Sequence, residues 1–389
     1  MAAREIETPK YEIVGELEQF DETDQVMARG ELAPDGELWR RYYGEHPERE
    51  GQGRHWAKLP RMGTGGHSLD TSIVGSRIWL LKNLGREEFV EGVPASRRSV
   101  LDPKRATVKL KGIARNLGAA LVRTGPLNPA WVYSRVGRSR EGCQNYGTSI
   151  NLSHQHAVVV AIPLGRAMIA AAPHAPAMVE VWSAYVRLAS IAGVLAQYIR
   201  SLGYSARAHN AGNYQAAMVP IAVDAGIGEV GRNGIIITEE YGNAIKIAAV
   251  TTDMPLAYDR PVDIGVDEFC ADCTICAVNC PVGAIPQGGK SVIRGVRKFK
   301  LNESACYSYC RYAGTDCGIC LSVCPWTRPR TFPHNLVLRG VERYSLVRKL
   351  AIKADTLLGR KQKIVYPDWF EGQPGEWKGA KTWEEFNLL

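Results

Sequence analysis

A chain of 389 residues is long enough for two to three domains and a substantial core, and 45% hydrophobic with 23% charged residues excludes a wholly disordered protein. The formal net charge is +8, but metal-bound thiolates would offset it. No stretch interleaves Lys or Arg with aromatics as a single-strand groove requires, so no nucleic-acid partner is expected.

Residues 1 to about 60 are polar and predict an irregular, partly helical wrap; the N-terminal segment as a whole is taken as 1–110. The N-terminus has no apolar core segment and no twin arginine. The most apolar stretch, Ala157–Pro173, is interrupted by Pro163 and Arg166 and is too short to cross a bilayer. No transmembrane segment is expected, and a cytoplasmic location is.

Residues 111–255 read as an α+β core. The run A-V-V-V-A-I-P at 157–163 predicts a strand buried on both faces. Glu180–Leu202 predicts a helix, with Tyr185, Leu188, Ala192, Leu195, Ile199 and Leu202 on one face and Gly203 at its C-terminal cap. The loop A-V-D-A-G-I-G-E-V-G-R-N-G at 222–234 is glycine-rich without a dinucleotide fingerprint's strand–helix context. Ile235–Thr238 and Ala244–Thr251 predict a hairpin about Gly242–Asn243. His154 and His156 alternate to one face and are expected as a core or surface pair. Helices and strands alternate without βαβ spacing, which favours α+β over a doubly wound sheet.

Residues 256–330 hold nine of the ten cysteines; only Cys143 lies elsewhere. Such clustering points to metal binding, since a disulfide framework would spread its cysteines along the chain. Cys270-x2-Cys273-x2-Cys276-x3-Cys280-Pro281 has the spacing of a bacterial ferredoxin run, and Cys317-x2-Cys320-x3-Cys324-Pro325 is a partial twin. Three thiolates two residues apart wrap one cubane, while the fourth leaves toward a second. Structural zinc also uses paired CxxC, but the full run with its twin is far more specific to two [4Fe–4S] clusters. By this logic one cluster takes Cys270, Cys273, Cys276 and Cys324. The other takes Cys280, Cys317, Cys320 and either Cys306 or Cys310. The tail, 331–389, carries Trp369, Phe370, Trp377, Trp383 and Phe386 and is expected to pack back on the body.

Three stretches go beyond a ferredoxin: Y-I-R-S-L-G-Y at 198–204, the run from Pro220 through G-R-N-G-I-I-I-T-E-E-Y-G to Leu256, and C-Y-S-Y-C-R-Y-A-G-T-D-C-G-I-C-L-S-V-C-P-W at 306–326. Together they resemble the corrinoid-dependent reductive dehalogenases, well over residues 180–330 and loosely elsewhere. The resemblance implies a nitroreductase-like cobalamin-binding core fed by a ferredoxin-like module of two [4Fe–4S] clusters. It implies Cys306 as the eighth ligand, with Cys310, at a position where the family commonly has tryptophan, as a spare thiol. No histidine has Asp two before and Gly three after it, in agreement with base-off cobalamin bound without a protein histidine.

The implied activity is reductive dehalogenation of a small organohalide with release of halide, using an external electron donor such as ferredoxin or flavodoxin. The resemblance points to a tyrosine proton donor beside a cation, for which Tyr185 and Lys246 match best; Tyr214 is a rival donor or cofactor contact. Gly226, Gly228, Gly231 and Arg232 would approach the cobalamin, or else make the turn. Tyr185 is equally readable as a core tyrosine, and Lys246 as a solvent-facing strand residue. Two other functions compete: an epoxyqueuosine reductase acting on tRNA, which uses the same cofactors, and a non-catalytic electron carrier, which leaves the large core unexplained.

Overall fold

The computed structural model describes residues 4–138, 145–328, 336–337, 340–341, 344–357 and 364–371. At its centre is a four-stranded antiparallel sheet of β1 (Leu121–Pro126), β2 (His156–Pro163), β3 (Ala206–His209) and β4 (Ile245–Thr252), in the spatial order β1-β2-β4-β3. Register pairs Val160 with Ala248 and Ile162 with Lys246 across β2 and β4, and His209 with Ala249 across β3 and β4. β2 is buried on both faces, as its β-branched run requires.

Helix α1 (Ser68–Leu84) packs on α3 (Ala175–Ser201), and α3 bears on this sheet together with α2 (Pro103–Asn116) and α4 (Met218–Asp224). On one face Val158, Val160, Ile162, Ala248 and Val250 meet Ala184, Leu188, Ala192, Leu195 and Ile199 of α3. On the other, Ala157, Val159, Ala161 and Ala249 meet Ile221, Ala222 and Val223 around α4. The mixed helix-and-sheet core agrees with the expected class. α3 begins five residues before the expected start and ends at Ser201, with Gly203 in the left-handed region (φ 84°) just beyond it. It is long and apolar enough to cross a membrane by length and composition, yet here it is the central helix of the core, half buried over its apolar window.

The expected hairpin over 235–251 does not form. β4 has β2 on one edge and β3 on the other, so neither edge is open to Ile235–Thr238. Ile236–Ile237 pairs instead with Glu229–Val230, and a lone bridge between Thr238 and Gly242 closes the turn.

The N-terminal segment has short helices at Val26–Gly30, Glu37–Glu45 and Glu50–Lys58, with a small aromatic core of Trp39, Tyr42, Tyr43 and Tyr146. The cysteine region contains α5 (Val266–Asp272), α6 (Ile275–Val278), α7 (Glu303–Ala313) and α8 (Ile319–Ser322). Within the tail, Val347, Ala351 and Ile352 pack on the cysteine-region core, and Phe370 packs with Val74, Met178 and Val179. Trp369 is exposed. Trp377, Trp383 and Phe386 lie outside the described residues, as does Cys143.

Candidate active site and metal centres

The nine described cysteines are thiols rather than disulfides, and all but Cys310 fall into two groups of four. Cys270, Cys273, Cys276 and Cys324 come from α5, the loop after it, α6 and the stretch following α8. Burial pushes the Cys270 thiol up to about 12, and neighbouring Cys273 adds to this. Cys324 is raised well above the usual range, first by burial and then by Cys270, Cys276 and Cys273. Cys276 is raised by burial, then by Cys270, Cys320 and Cys273, so it also faces the other group.

Cys280, Cys306, Cys317 and Cys320 form that second group. Cys317 is raised by burial and feels Cys306, Cys320 and Cys280; Cys320 is raised to about 12 by burial, then by Cys306 and Cys280. Cys306 and Cys310 lie one turn apart on α7, whose N-terminus is capped by the Asn302 side chain. The two thiols act on each other: Cys310 holds the Cys306 thiol below its usual range, and Cys306 together with burial holds the Cys310 thiol well above it. The Ala284 N–H donates to Cys280 Sγ at 3.2 Å. Cys317 adopts a left-handed φ of 50°, a cost on the order of 1 kcal/mol for a non-glycine residue, which turns its thiol into the group. Eight thiols in two sets of four fit two four-iron clusters, and at Cys270, Cys276, Cys317, Cys320 and Cys324 metal ions would replace the protons that burial favours.

Two buried arginines brace these groups, and neither role was visible in the sequence. Arg232 is 2% exposed. It donates to the carbonyls of Cys270 (3.0 Å), Cys273 (2.8 Å), Ala271 (3.1 Å), Pro286 (2.8 Å) and Gly288 (2.8 Å), and stacks 4.1 Å from the Phe299 ring centroid. Its donors are thus committed to the cysteine loop rather than to a cofactor in the core. Arg311 on α7 donates to the carbonyls of Gly30, Trp56, Leu59 and Pro60, buckling the N-terminal segment onto the second group.

The glycine-rich loop is packed against its own surroundings. A Cβ on Gly226 (φ 78°) would lie 2.1 Å from the Arg260 carbonyl, one on Gly228 2.1 Å from the Ile237 carbonyl, and one on Gly231 2.8 Å from the Ile237 side chain. Close approach of the neighbouring residues thus requires glycine at these three positions.

Lys246, on the α3 face of β4, places its ammonium 5.3 Å from the Tyr185 ring centroid. Burial works against the charge of Lys246, but Tyr185 and Asp316 outweigh it and raise the pKa above the usual lysine value; Cys320 contributes in the same direction. Asp316, in the loop before Cys317, is raised by burial and held back by Lys246 and Trp182. Trp182 packs edge-on against Tyr185, with centroids 6.1 Å apart. Its buried Nε1 faces Asp316 without meeting hydrogen-bond geometry. The structure therefore brings Tyr185 and Lys246 together beside the second thiol group, through Asp316 and Cys320.

Tyr214 lies in a different setting. Its hydroxyl accepts from Gln25 Nε2 at 2.9 Å, and the Arg138 guanidinium stacks 4.5 Å from its ring centroid. His154 is bonded through Nδ1 to Thr251 and through Nε2 to Ser205, both at 2.8 Å, while His156 bonds Tyr258. They are separate structural contacts rather than a pair. Two buried polar atoms, Trp182 Nε1 and Gln25 Oε1, have no hydrogen-bond partner among the described residues, on side chains touching Tyr185 and Tyr214 respectively.

A family model described as a 4Fe-4S dicluster domain matches residues 269–327. The tetrachloroethene reductive dehalogenase of Sulfurospirillum multivorans is 30% identical over 304 residues, covering 70% of this chain and 60% of that protein. Its counterpart from Dehalobacter restrictus is 30% identical over 300 residues, covering 66% and 54%. Among solved structures, the catabolic reductive dehalogenase NpRdhA superposes with a TM-score of 0.76 at 25% identity, covering 95% of this chain and 50% of that one. A reductive dehalogenase structure described in terms of B12-dependent dehalogenation gives 0.73 at 26% identity, covering 95% and 51%. The chain thus spans between half and 60% of the length of these relatives.

Proposed function

This chain belongs to the reductive dehalogenase family, and from that premise we propose that it replaces a carbon-bound halogen by hydrogen, consuming two electrons and one proton and releasing halide. The observation that carries the reading is the Tyr185–Lys246 pair seated beside the second thiol group. We read the core as nitroreductase-like. Cys270, Cys273, Cys276 and Cys324 would hold one [4Fe–4S] cluster, and Cys280, Cys306, Cys317 and Cys320 the other. Trp182, beside Tyr185, and Gln25, beside Tyr214, offer buried polar atoms for cobalamin. When bound, these groups supply single electrons and a low-potential cobalt able to cleave a carbon–halogen bond.

The chain's own residues govern the proton. The Tyr185 hydroxyl is the group that would donate it. Donation leaves a phenolate, and Lys246 is already placed to stabilise it. Asp316 keeps the ammonium charged in a setting where burial alone would favour its neutral form. Trp182 shields one side of the pair from water and so strengthens each of these interactions. An external one-electron carrier such as a ferredoxin or flavodoxin completes the supply.

Anaerobic reconstitution with iron, sulfide and cobalamin, followed by a halide-release assay on aryl and alkyl halides with a strong reductant, tests this. Bound cobalamin with halide appearing in step with the dehalogenated product is expected. Failure to bind cobalamin overturns the reading, and queuosine formation on tRNA without halide release would replace it with the epoxyqueuosine reductase reading.

A further inference from the structure

Arg232 poses an electrostatic problem that its hydrogen bonds do not solve. Five carbonyl contacts satisfy the donors of its guanidinium but supply no net charge. Arginine stays protonated in proteins, so the site cannot relieve itself by losing a proton. No carboxylate forms an ion pair with Arg232 among the described residues. The neighbouring cation, Lys290, is by contrast paired with Asp267. A buried cation without an anion is costly, and native proteins keep one where something negative compensates it.

The nearest candidates for that anion are the thiols of the first group. Arg232 grips the backbone at Cys270, Ala271 and Cys273, and its charge reaches Cys270 and Cys276. The carbonyls of Pro286 and Gly288 and the face of Phe299 complete its enclosure, which keeps water from screening it. As thiolates on an iron–sulfur cluster these cysteines would present net negative charge at this place, and one-electron reduction would add one more. A fixed cation in a low-dielectric setting stabilises the reduced form more than the oxidised one.

Resting on the two-cluster reading above, we propose that Arg232 is the buried counter-cation of the cluster held by Cys270, Cys273, Cys276 and Cys324, and that it raises that cluster's reduction potential. It is a positioning residue: it touches the loop that holds the ligands, not the reacting carbon. Its effect is to make the first cluster the better electron acceptor from the external carrier, which sets the downhill step on entry.

The test is an EPR-monitored potentiometric titration of reconstituted, cobalamin-free protein, in wild type, R232Q and R232K. Iron analysis comes first: if wild type does not take up about eight irons per chain, two clusters' worth, the ligand reading fails before the arginine is tested. With both clusters loaded, R232Q should move one of two midpoints to more negative potential by at least a tenfold change in the reduction equilibrium, about 59 mV for one electron. The other midpoint should stay. R232K keeps the charge but loses the fork, and should shift the same midpoint less than threefold. If R232Q does not load the first cluster, R232K decides: loading with a midpoint close to wild type supports the charge role. Unmoved midpoints in R232Q, equal shifts of both, or loss of the first cluster from R232K as from R232Q would each overturn it, the last by reducing Arg232 to a brace.

Discussion

The two cysteine groups are built to the same ligand count but set in different surroundings. The first is enclosed in an apolar shell of Val266, Phe269, Phe299 and Trp326, with one buried arginine gripping its loop. The second opens toward the catalytic candidates: Cys320 interacts with Lys246, Cys306 with the extra thiol of Cys310, and Cys280 accepts from a backbone N–H. A dry shell with a fixed cation suits an electron-entry cluster whose potential must not drift. A polar junction with a cation and a carboxyl suits the cluster that hands electrons to a reaction consuming protons. The difference teaches that ligand spacing alone does not say which cluster is which; the neighbours do.

The comparison breaks most completely at Cys306. C306A should lose the second cluster, halve the iron content and abolish halide release, with the first cluster's EPR signal retained; full iron content would move the ligand role to Cys310. Next in size is Lys246. K246Q should lower kcat on the order of a hundredfold or more, as for loss of one preorganised charge partner, with cobalamin and iron contents unchanged. A rise in KM with kcat intact would instead assign Lys246 to substrate binding.

C310A sharpens the comparison more gently. It should keep both clusters while moving the second cluster's midpoint negative, because the neighbouring thiol that favours the anionic form of Cys306 is lost. An unchanged midpoint would make Cys310 a bystander. The smallest effect is on stability. Glu229 ties the strand at 229–230 to the start of the first group's helix through the N–H groups of Ile264 and Asp267 (3.1 Å to the latter), and burial pushes its carboxyl from 4.5 up to about 7. Because the folded value lies above the unfolded one, the stability its neutral form contributes is full below about pH 4.5 and is lost as pH rises through about 7. E229Q should flatten the fall of Tm across that window; an unaltered slope would place the titration elsewhere.

The cysteine module was legible because cubane ligation imposes a spacing that survives in one dimension. β2 and α3 were legible for the same kind of reason, since period and burial agree along each segment. The pairing of Tyr185 with Lys246 came through resemblance: no local pattern announces a contact between a helix and a strand 61 residues on. Arg311 and the bracing role of Arg232, a residue expected at the cofactor or in the turn, were missed because the two bond backbone carbonyls up to 281 and 56 residues away, and any sequence offers carbonyls. The hairpin over 235–251 was misread because the chain turns at residues 239–241, with Gly242 bridged to Thr238, and the partners of β4 are β2 and β3. The glycine loop carried a true signal, close approach of backbone, with an object that only the fold could name.

The account turns on a proton delivered at Tyr185 beside the second thiol group, and Y185F addresses it most directly. Reconstituted Y185F should bind iron and cobalamin as wild type does while single-turnover halide release falls by on the order of 10² to 10⁴, the usual worth of a positioned general acid. Halide release at the wild-type rate from the fully loaded variant would contradict the account.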